Sequence, residues 1–412
     1  MTTIPATDLP PRRVPMWVLA GLTLTGSLAM HIFVPALPAA GKALGASEAE
    51  MQMTITLYIV GMAAGQLIYG PLSDRFGRRP VLFGAISLYV ASGFACFAAP
   101  AIGALLIARF FQALGGCAGL VLARAILRDT SESRDIAQRM AVLTMIMVAA
   151  PSLAPLTGGL VTQYFGWRTI FLVLIGIGTL NLASVMLVLP ETRPSDEESV
   201  SFLKGVQELM SLPSFRWLVL GGACATTSMY GVITAAPFIF EVDLHRPAHE
   251  VGPWLAAVVL AVAGGNFMVK LLADRVPLPR LLTIANWMTM TAGLLLLAVA
   301  LFVPLTAFRY IAPVFLFCLA TGVTSPIATT QALSIRPEYA GAASGLYGFV
   351  QMIVAALCTL AVSFGGDPAL AAAVVTATVG AVAMLSFRLA ARHREPGGAG
   401  LPGGVRRLTP RV

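Results

Sequence analysis

The sequence predicts an all-α integral membrane protein with twelve transmembrane helices in two pseudo-symmetric halves of six. Three observations predict this fold class. Hydrophobic residues make up 57% of the 412 residues, charged residues only 11%, and the mean hydropathy is +0.83. Twelve apolar runs each approach the roughly 20 residues that a helix needs to cross a bilayer. A weak internal repeat links the two halves of the chain.

The composition excludes several classes of protein. A soluble domain is about 25% charged, so a disordered chain, a coiled coil and an ordinary soluble enzyme are all excluded. The five cysteines lie inside apolar runs and are odd in number, which indicates buried hydrophobic residues rather than disulfides or metal ligands. No phosphate-binding or hydrolase motif is present. We therefore expect no enzyme activity, no metal and no resident cofactor.

The predicted spans follow one another with short connections, and the turn between the third and fourth is only Ala99–Pro100. In chain order they cover residues 16–38, 52–72, 80–99, 101–124, 139–162, 168–189, 216–240, 251–272, 281–303, 307–332, 340–364 and 369–390.

The basic residues are distributed unequally between the two sides of these spans. If the N-terminus is cytoplasmic, 22 of the 27 Lys and Arg residues fall on the inside, four on the outside and one within a span. The positive-inside rule then places both termini in the cytoplasm. This asymmetry also explains the net charge of +8 without a nucleic-acid partner, so the expected partner is the lipid bilayer.

Five segments follow from this arrangement. They are a cytoplasmic tail (1–15), a first six-helix half (16–189), a central cytoplasmic loop (190–215), a second half (216–390) and a flexible tail (391–412). The central loop contains VSFLKGVQELM, which has the pattern of an amphipathic surface helix.

The internal repeat has an offset of 200 residues. Gly21 and Gly221 match, as do Gly65 and Gly265, and the Asp74–Arg75 pair is repeated at Asp274–Arg275. Two parallel six-span halves are a recurring plan of transporters, with the substrate site between them near the bilayer midplane.

The most specific motif is GPLSDRFGRR, residues 70–79, between the second and third spans. Gly70 and Gly77 would permit a tight turn and close helix approach. Asp74 would be paired with the neighbouring basic residues Arg75, Arg78 and Arg79, or it would face the N-terminus of another helix, which favours a carboxylate. A loop that only sets topology would explain the arginines, but not the glycines, the aspartate or the second-half copy.

This segment resembles the signature loop of the major facilitator superfamily. FVPALP (33–38), ARFFQALGGCAGLVLARAILRD (108–129), APSLAPLTGGLVTQYFGWRTIF (150–171) and ATTQALSIRPEYAGAASGLYGFVQ (328–351) resemble one branch of it, the bicyclomycin/chloramphenicol-type (Bcr/CflA) drug efflux transporters of bacteria. The resemblance implies a gate that holds the two halves together on the cytoplasmic side. Its residues would be Gly70, Asp74, Arg75, Gly77, Arg78 and Arg79, with Asp129 as the partner of Arg78 and with Asp274 and Arg275 in the second half.

Arg109 lies inside the fourth predicted span, about 12 Å from its start at 1.5 Å per residue. A buried Arg is costly and usually faces a polar interior, and Gln112 lies on the same helix face. The resemblance gives Arg109 a role in proton coupling or cavity electrostatics. The alternative is an arginine near the membrane surface that extends to water.

PSLAPLTGG places Pro151, Pro155, Gly158 and Gly159 in the fifth span and resembles the antiporter motif of drug/proton exchangers, with Ala154 where that motif has Gly. The alternative is an ordinary kinked membrane helix. Tyr230 lies in a stretch of the seventh span that resembles the family's cavity wall, although aromatic residues in spans also pack without contacting substrate.

His31 stands where the family often has an aspartate, in HIFVPALP, and none of the 19 acidic residues falls clearly inside a span. Histidine changes charge near neutral pH, so one hypothesis makes His31 the proton-binding residue. The other makes it a neutral residue in helix packing.

Together these features predict a monomeric, multi-pass transporter of a bacterial inner membrane. It would export small lipophilic or amphipathic drugs, including antibiotics, in exchange for protons by alternating access, and so confer antibiotic resistance. The alternatives are an exporter of an endogenous metabolite and a facilitator without proton coupling, both on the same fold. A membrane enzyme or sensor is disfavoured, since neither needs two matched halves.

Overall fold

The computed structural model describes residues 14–131, 133–193, 202–246, 250–273 and 275–393, and these parts form helices with short connections. Eleven of their helices are long and apolar enough to cross a membrane. The helix Ser133–Phe165, which has 33 residues, coincides with the remaining predicted span. The all-α membrane fold is therefore confirmed, and the predicted short turn at Ala99–Pro100 separates two helices as expected.

We number the helices in chain order. They are α1 (Met16–Leu44), α2 (Glu48–Phe76), α3 (Arg78–Ala98), α4 (Ile102–Asp129), α5 (Ser133–Phe165), α6 (Thr169–Leu187), α7 (Phe202–Ser211), α8 (Pro213–Glu241), α9 (Val251–Leu272), α10 (Leu278–Phe302), α11 (Ala307–Ser334), α12 (Pro337–Ser363) and α13 (Pro368–Arg392).

The first half consists of α1–α6 and the second of α8–α13. Between them lies α7, the amphipathic helix predicted in the central loop, which packs by Gly205 against Tyr339 and Ala342 of the second half. We call the end of the bundle that carries Gly77 the loop end, and the opposite end the far end. Large apolar side chains such as Trp17, Leu187 and Phe302 are exposed around the bundle, as expected for a surface in contact with lipid.

Prolines and caps explain the local irregularities of these helices. Pro35 interrupts α1 with a 3₁₀ turn at Val34–Ala36, because proline lacks the N–H that an α-helical bond needs. Ser47 and Glu50 form a capping box at the start of α2. Near its end, α8 contains Pro237 and closes with a π-turn at Ile239–Asp243.

The repeated glycines occupy equivalent contacts in the two halves. A Cβ atom on Gly65 of α2 would lie 2.6 Å from Cβ of Cys117 on α4, and one on Gly265 of α9 would lie 2.2 Å from the Leu319 carbonyl oxygen on α11. Both positions therefore allow two helices to approach closely, which supports the pseudo-symmetry that the repeat predicts.

The two halves meet mainly along two helix pairs. In the first, α2 packs against α12, and the Thr56 hydroxyl donates to that of Thr359 at 2.9 Å. In the second, α5 packs against α9, where Gly252 closely approaches the backbone of Pro155. The space between these pairs is where a substrate site is expected.

Candidate functional site

Gly77 separates α2 from α3 at the loop end. Its φ of +95° is a conformation that residues with a side chain rarely adopt. The chain turns sharply here, and α3 starts directly at Arg78. This turn is the one predicted from the 70–79 segment.

The Arg78 guanidinium joins three helices of the first half. Its Nη1 donates to Asp74 Oδ1 on α2 at 2.5 Å and to Ser73 Oγ at 2.5 Å, while Nε donates to Asp129 Oδ2 on α4 at 3.2 Å. The side chains of Arg78 and Asp129 are only 8% and 7% exposed, against 44% for Asp74. The expected Arg78–Asp129 pair is thus present in the geometry, and charge-assisted bonds of this kind are the strong ones.

Glu191, in the connection that follows α6, completes this cluster and was missed from the sequence. Its carboxylate accepts the backbone N–H groups of Arg78 at 2.8 Å and Arg79 at 3.2 Å, and also those of Thr192 and Arg193 at 3.0 Å. Burial by itself would raise the pKa of Glu191, but these four N–H groups outweigh it and hold the pKa below its ordinary value. A helix N-terminus attracts an anion, but no local sequence pattern indicated that Glu191 would supply it to α3.

Arg79 ties the C-terminal end of α6 to the same cluster. Its Nη2 donates to the Met186 carbonyl at 2.6 Å and its Nε to that of Val185 at 3.3 Å. These carbonyls belong to the last turn of α6, where no intrahelical donor is available. Together, Arg79 and Glu191 fix the end of α6 to the start of α3.

Two members of the predicted gate differ from the expectation. Gly70 lies inside α2 with no atom within 4 Å of the Cβ position it would carry, so it forms neither a turn nor a close helix contact. The reason is that α2 continues to Phe76, beyond the predicted end at residue 72. The side chain of Arg75 is exposed and stacks on Phe76 at 5.1 Å, and its carbonyl accepts from Arg193.

Arg109 is fully buried in the first half, and the alternative of a surface position is wrong. Its Nη1 donates to the Ala29 carbonyl at 3.2 Å and to Gln112 Oε1 at 2.8 Å. The guanidinium carbon lies 4.1 Å from the ring centre of Tyr58 and 5.0 Å from that of Phe33. Neutral acceptors and aromatic faces thus stabilise this cation.

His31 and Tyr230 face each other across the two halves, with ring centres 6.0 Å apart. His31 Nδ1 lies 2.8 Å from the Ser27 carbonyl oxygen. Because a carbonyl only accepts, Nδ1 must carry the hydrogen, and Nε2 of the neutral ring is left as the acceptor. His31 is 5% exposed, so it lies at the interface rather than on a lipid-facing surface.

The antiporter-like motif lies in α5. Gly158 packs on α1 so closely that a Cβ atom would lie 1.9 Å from the Ile32 carbonyl oxygen, next to His31. Pro155 and Gly159 are buried, and Pro151 lies within the same helix. In the second half, Arg275 is exposed in the turn after α9, whereas Asp274 lies outside the described residues.

The comparisons with known proteins agree with this geometry. The sequence profile of the Major Facilitator Superfamily matches residues 19–359. The MFS-type transporter YdgK of Bacillus subtilis (strain 168) is 30% identical, over 90% of this chain and 94% of its own. Multidrug resistance protein D of Escherichia coli (strain K12) is 28% identical, over 82% and 85%. A chloramphenicol resistance protein of Pseudomonas aeruginosa is 29% identical, over 80% and 79%.

A solved structure has the same fold. It is a bacterial homologue of the human lysosomal transporter Spinster in an inward-facing, unoccupied conformation, with a TM-score of 0.70, 17% identity, and coverage of 92% of this chain and 98% of that one. The resemblance read from the motifs is confirmed. The chain is a multi-pass membrane transporter, not an enzyme, and it belongs to the major facilitator superfamily, with the bicyclomycin/chloramphenicol-type drug efflux transporters as its relatives.

Proposed function

We propose that this protein exports small lipophilic or amphipathic compounds, antibiotics among them, across a bacterial inner membrane in exchange for protons. The observation that carries the proposal is the His31–Tyr230 contact, in which a titratable ring of one half faces an aromatic ring of the other. A coupling group must sense both the proton and the movement of the halves, and His31 has this position. In this proposal the protein acts as a monomer, the loop end and both termini are cytoplasmic, and the proton is the coupling ion.

Contacts between the halves support a state that is closed at the far end. Lys42 of α1 forms an ion pair with Glu241 of α8 at this end. Along α2 and α12, contacts continue from Thr56–Thr359 to Gln66, whose Oε1 would be 2.7 Å from a Cβ atom on Gly348.

The described contacts between these two helices extend one turn further, to Gly345, where an added Cβ would lie 3.2 Å from the Gln66 carbonyl oxygen. If the register from Thr56–Thr359 to Gln66–Gly348 continued, Gly341 would lie opposite the end of α2. Neither Gly341 nor Gly70 has an atom within 4 Å of the Cβ position it would carry. These observations favour a cavity that opens to the loop end, and hence an inward-facing state from which cargo is loaded.

Proton coupling through His31 is the second element of the proposal. The Nε2 atom is the site that remains for a proton, and protonation would place a charge beside Tyr230 at the interface of the halves. An uncoupled facilitator is the alternative. It is favoured by one observation: every Asp or Glu whose side chain is described lies in a connection or close to a helix end.

Transport into liposomes, with and without an imposed pH gradient, tests both elements. We expect chloramphenicol to move against its gradient only when a pH gradient is present, and His31→Ala to abolish this dependence while downhill movement persists. His31→Gln, which keeps a polar side chain, is the matched variant. Gradient-driven transport by His31→Ala at the unaltered rate would contradict the role of His31. Transport that ignores the pH gradient in the unaltered protein would favour the facilitator, and no transport of antibiotics at all would favour a metabolite exporter.

A further inference from the structure

The interior of the first half contains polar atoms that have no hydrogen-bond partner. Arg109 and Gln112 of α4 are fully buried, as is Tyr89 of α3. In the part of the chain that the structure describes, Arg109 Nε and Nη2, Gln112 Nε2 and the Tyr89 hydroxyl all lack a partner. Each of these groups can donate a hydrogen bond. A buried donor without an acceptor is costly and rare, so this concentration of donors indicates a missing acceptor.

These donors belong to one cluster. Arg109 Nη1 donates to Gln112 Oε1 at 2.8 Å, so the other atom of that amide, Nε2, lies beside the guanidinium. The amide faces α3, because a Cβ atom on Gly93 would lie 3.6 Å from Gln112 Nε2 and Cys96 Sγ lies 3.8 Å from Gln112 Oε1. Tyr89 is one turn before Gly93 on the same face of α3, and Arg109 acts on it electrostatically.

The charge of Arg109 also lacks a counter-ion. Its other contacts are the Ala29 carbonyl and the rings of Tyr58 and Phe33, and none of these is negatively charged. Among the described residues, every Asp or Glu lies in a connection or close to a helix end, and none forms an ion pair with Arg109. A cation buried in a low-dielectric interior needs compensation, and neutral acceptors supply only part of it.

We propose that the first half binds a small monovalent anion, with chloride as the physiological one, through Arg109, Gln112 and Tyr89. One such ion would accept from the orphaned donors and also balance the charge, whereas a water molecule could only accept the bonds. A monatomic anion accepts from several directions at once, which suits donors on a guanidinium, an amide and a hydroxyl. The site is built only from residues of the first half, so the proposal does not depend on the export function.

Thermal unfolding of the full-length purified protein in chloride and in gluconate, at one pH and one ionic strength, tests this site. Gluconate is too large for a fully buried site. We expect the unfolding midpoint to rise saturably as chloride replaces gluconate, by about 3 °C at about a hundred times the dissociation constant, and bromide to act as chloride does. Equal midpoints in chloride and gluconate would overturn the proposal.

Gln112→Glu is the decisive variant, because it places a carboxylate where Gln112 Oε1 now accepts from Arg109. The protein would then supply the counter-charge itself. We expect the midpoint of this variant in gluconate to reach that of the unaltered protein in chloride, and to be independent of chloride. The matched control is Gln207→Glu on the exposed face of α7, which should keep the chloride dependence. A dependence that persists in Gln112→Glu would place the anion elsewhere and overturn the proposal.

Tyr89→Phe removes a single hydroxyl and keeps the ring that packs between Gly116 and Gly178. Loss of one hydrogen bond to the anion should raise the chloride concentration at half effect about fivefold. This variant keeps the proposal testable if Gln112→Glu fails to fold, because an unchanged half-effect concentration in Tyr89→Phe would contradict the assigned donor set.

Discussion

The backbone N–H of Arg78 donates to Glu191 Oε1 at 2.8 Å, and this bond joins the first residue of α3 to the connection that follows α6. The two residues are 113 positions apart, so the bond closes the first half at the loop end. A carboxylate at a helix N-terminus satisfies amide groups that have no partner within the helix.

Glu191→Gln should lower the free energy of unfolding by about 1 kcal/mol, because the neutral amide is a weaker acceptor at this helix terminus. Thermal unfolding of the detergent-solubilised protein measures this. Glu208→Gln on the exposed face of α7 is the control and should unfold at the unaltered temperature. An equal midpoint for both variants would show that Glu191 has no stabilising role.

The same carboxylate predicts a dependence of stability on pH. Since its pKa is held below the ordinary value of 4.5 in the folded protein, its contribution is complete above pH 4.5 and is lost as the pH falls through the lowered value. The difference in midpoint between the unaltered protein and Glu191→Gln should therefore be constant at neutral pH and shrink below about pH 4.5. A difference in midpoint that grows as the pH falls would contradict this prediction.

Gly77→Ala should destabilise the protein by about 1 to 3 kcal/mol, because the residue has a φ of +95° and an added Cβ would lie 2.6 Å from Glu191 Oε2. Gly84→Ala, in the middle of α3 with no atom within 4 Å of its Cβ position, should be neutral or stabilising by up to about 1 kcal/mol. The thermal unfolding midpoints of the two variants compare the cost of backbone strain at Gly77 with the effect of helix propensity at Gly84. Equal midpoints would mean that the turn at Gly77 tolerates a side chain.

Asp74→Asn should lower chloramphenicol transport at least tenfold while the protein stays folded, if the 70–79 segment is a gate. The substitution removes one of the two carboxylates that bind Arg78, and it removes the more exposed one, which is the one available to a moving partner. Glu338→Gln, next to Arg336 at the start of α12, is the matched control at the same end. Unchanged transport and an unchanged balance of conformations in Asp74→Asn would exclude the gate assignment.

Arg109→Lys should reduce transport and thermal stability although the charge is kept. A lysine has no planar group to stack between Tyr58 and Phe33. Arg309→Lys, an exposed arginine at the start of α11, is the control. Full activity of Arg109→Lys would mean that only the charge is required.

The fold and part of the site followed from the sequence for physical reasons. Helix existence was predictable because spans need long apolar runs. The Arg109–Gln112 contact was predictable because residues three apart share a helix face. Glu191 could not be found this way, since its bonds to Arg78 and Arg79 depend on how α3 and α6 pack. The contact of Tyr230 with His31 likewise depends on how the two halves pack together, and the periodicity of an apolar helix does not predict this packing.

The Glu191 cluster also determines what can bend when the halves move. Arg79 and Glu191 bond the end of α6 to α3, and Arg78 bonds α3 to α2 and α4. These four helices should therefore move as one rigid unit at the loop end. A polypeptide cleaved after Arg193 would keep every one of these bonds. The four-helix unit would therefore survive the cleavage, and only its covalent connection to the second half would be lost.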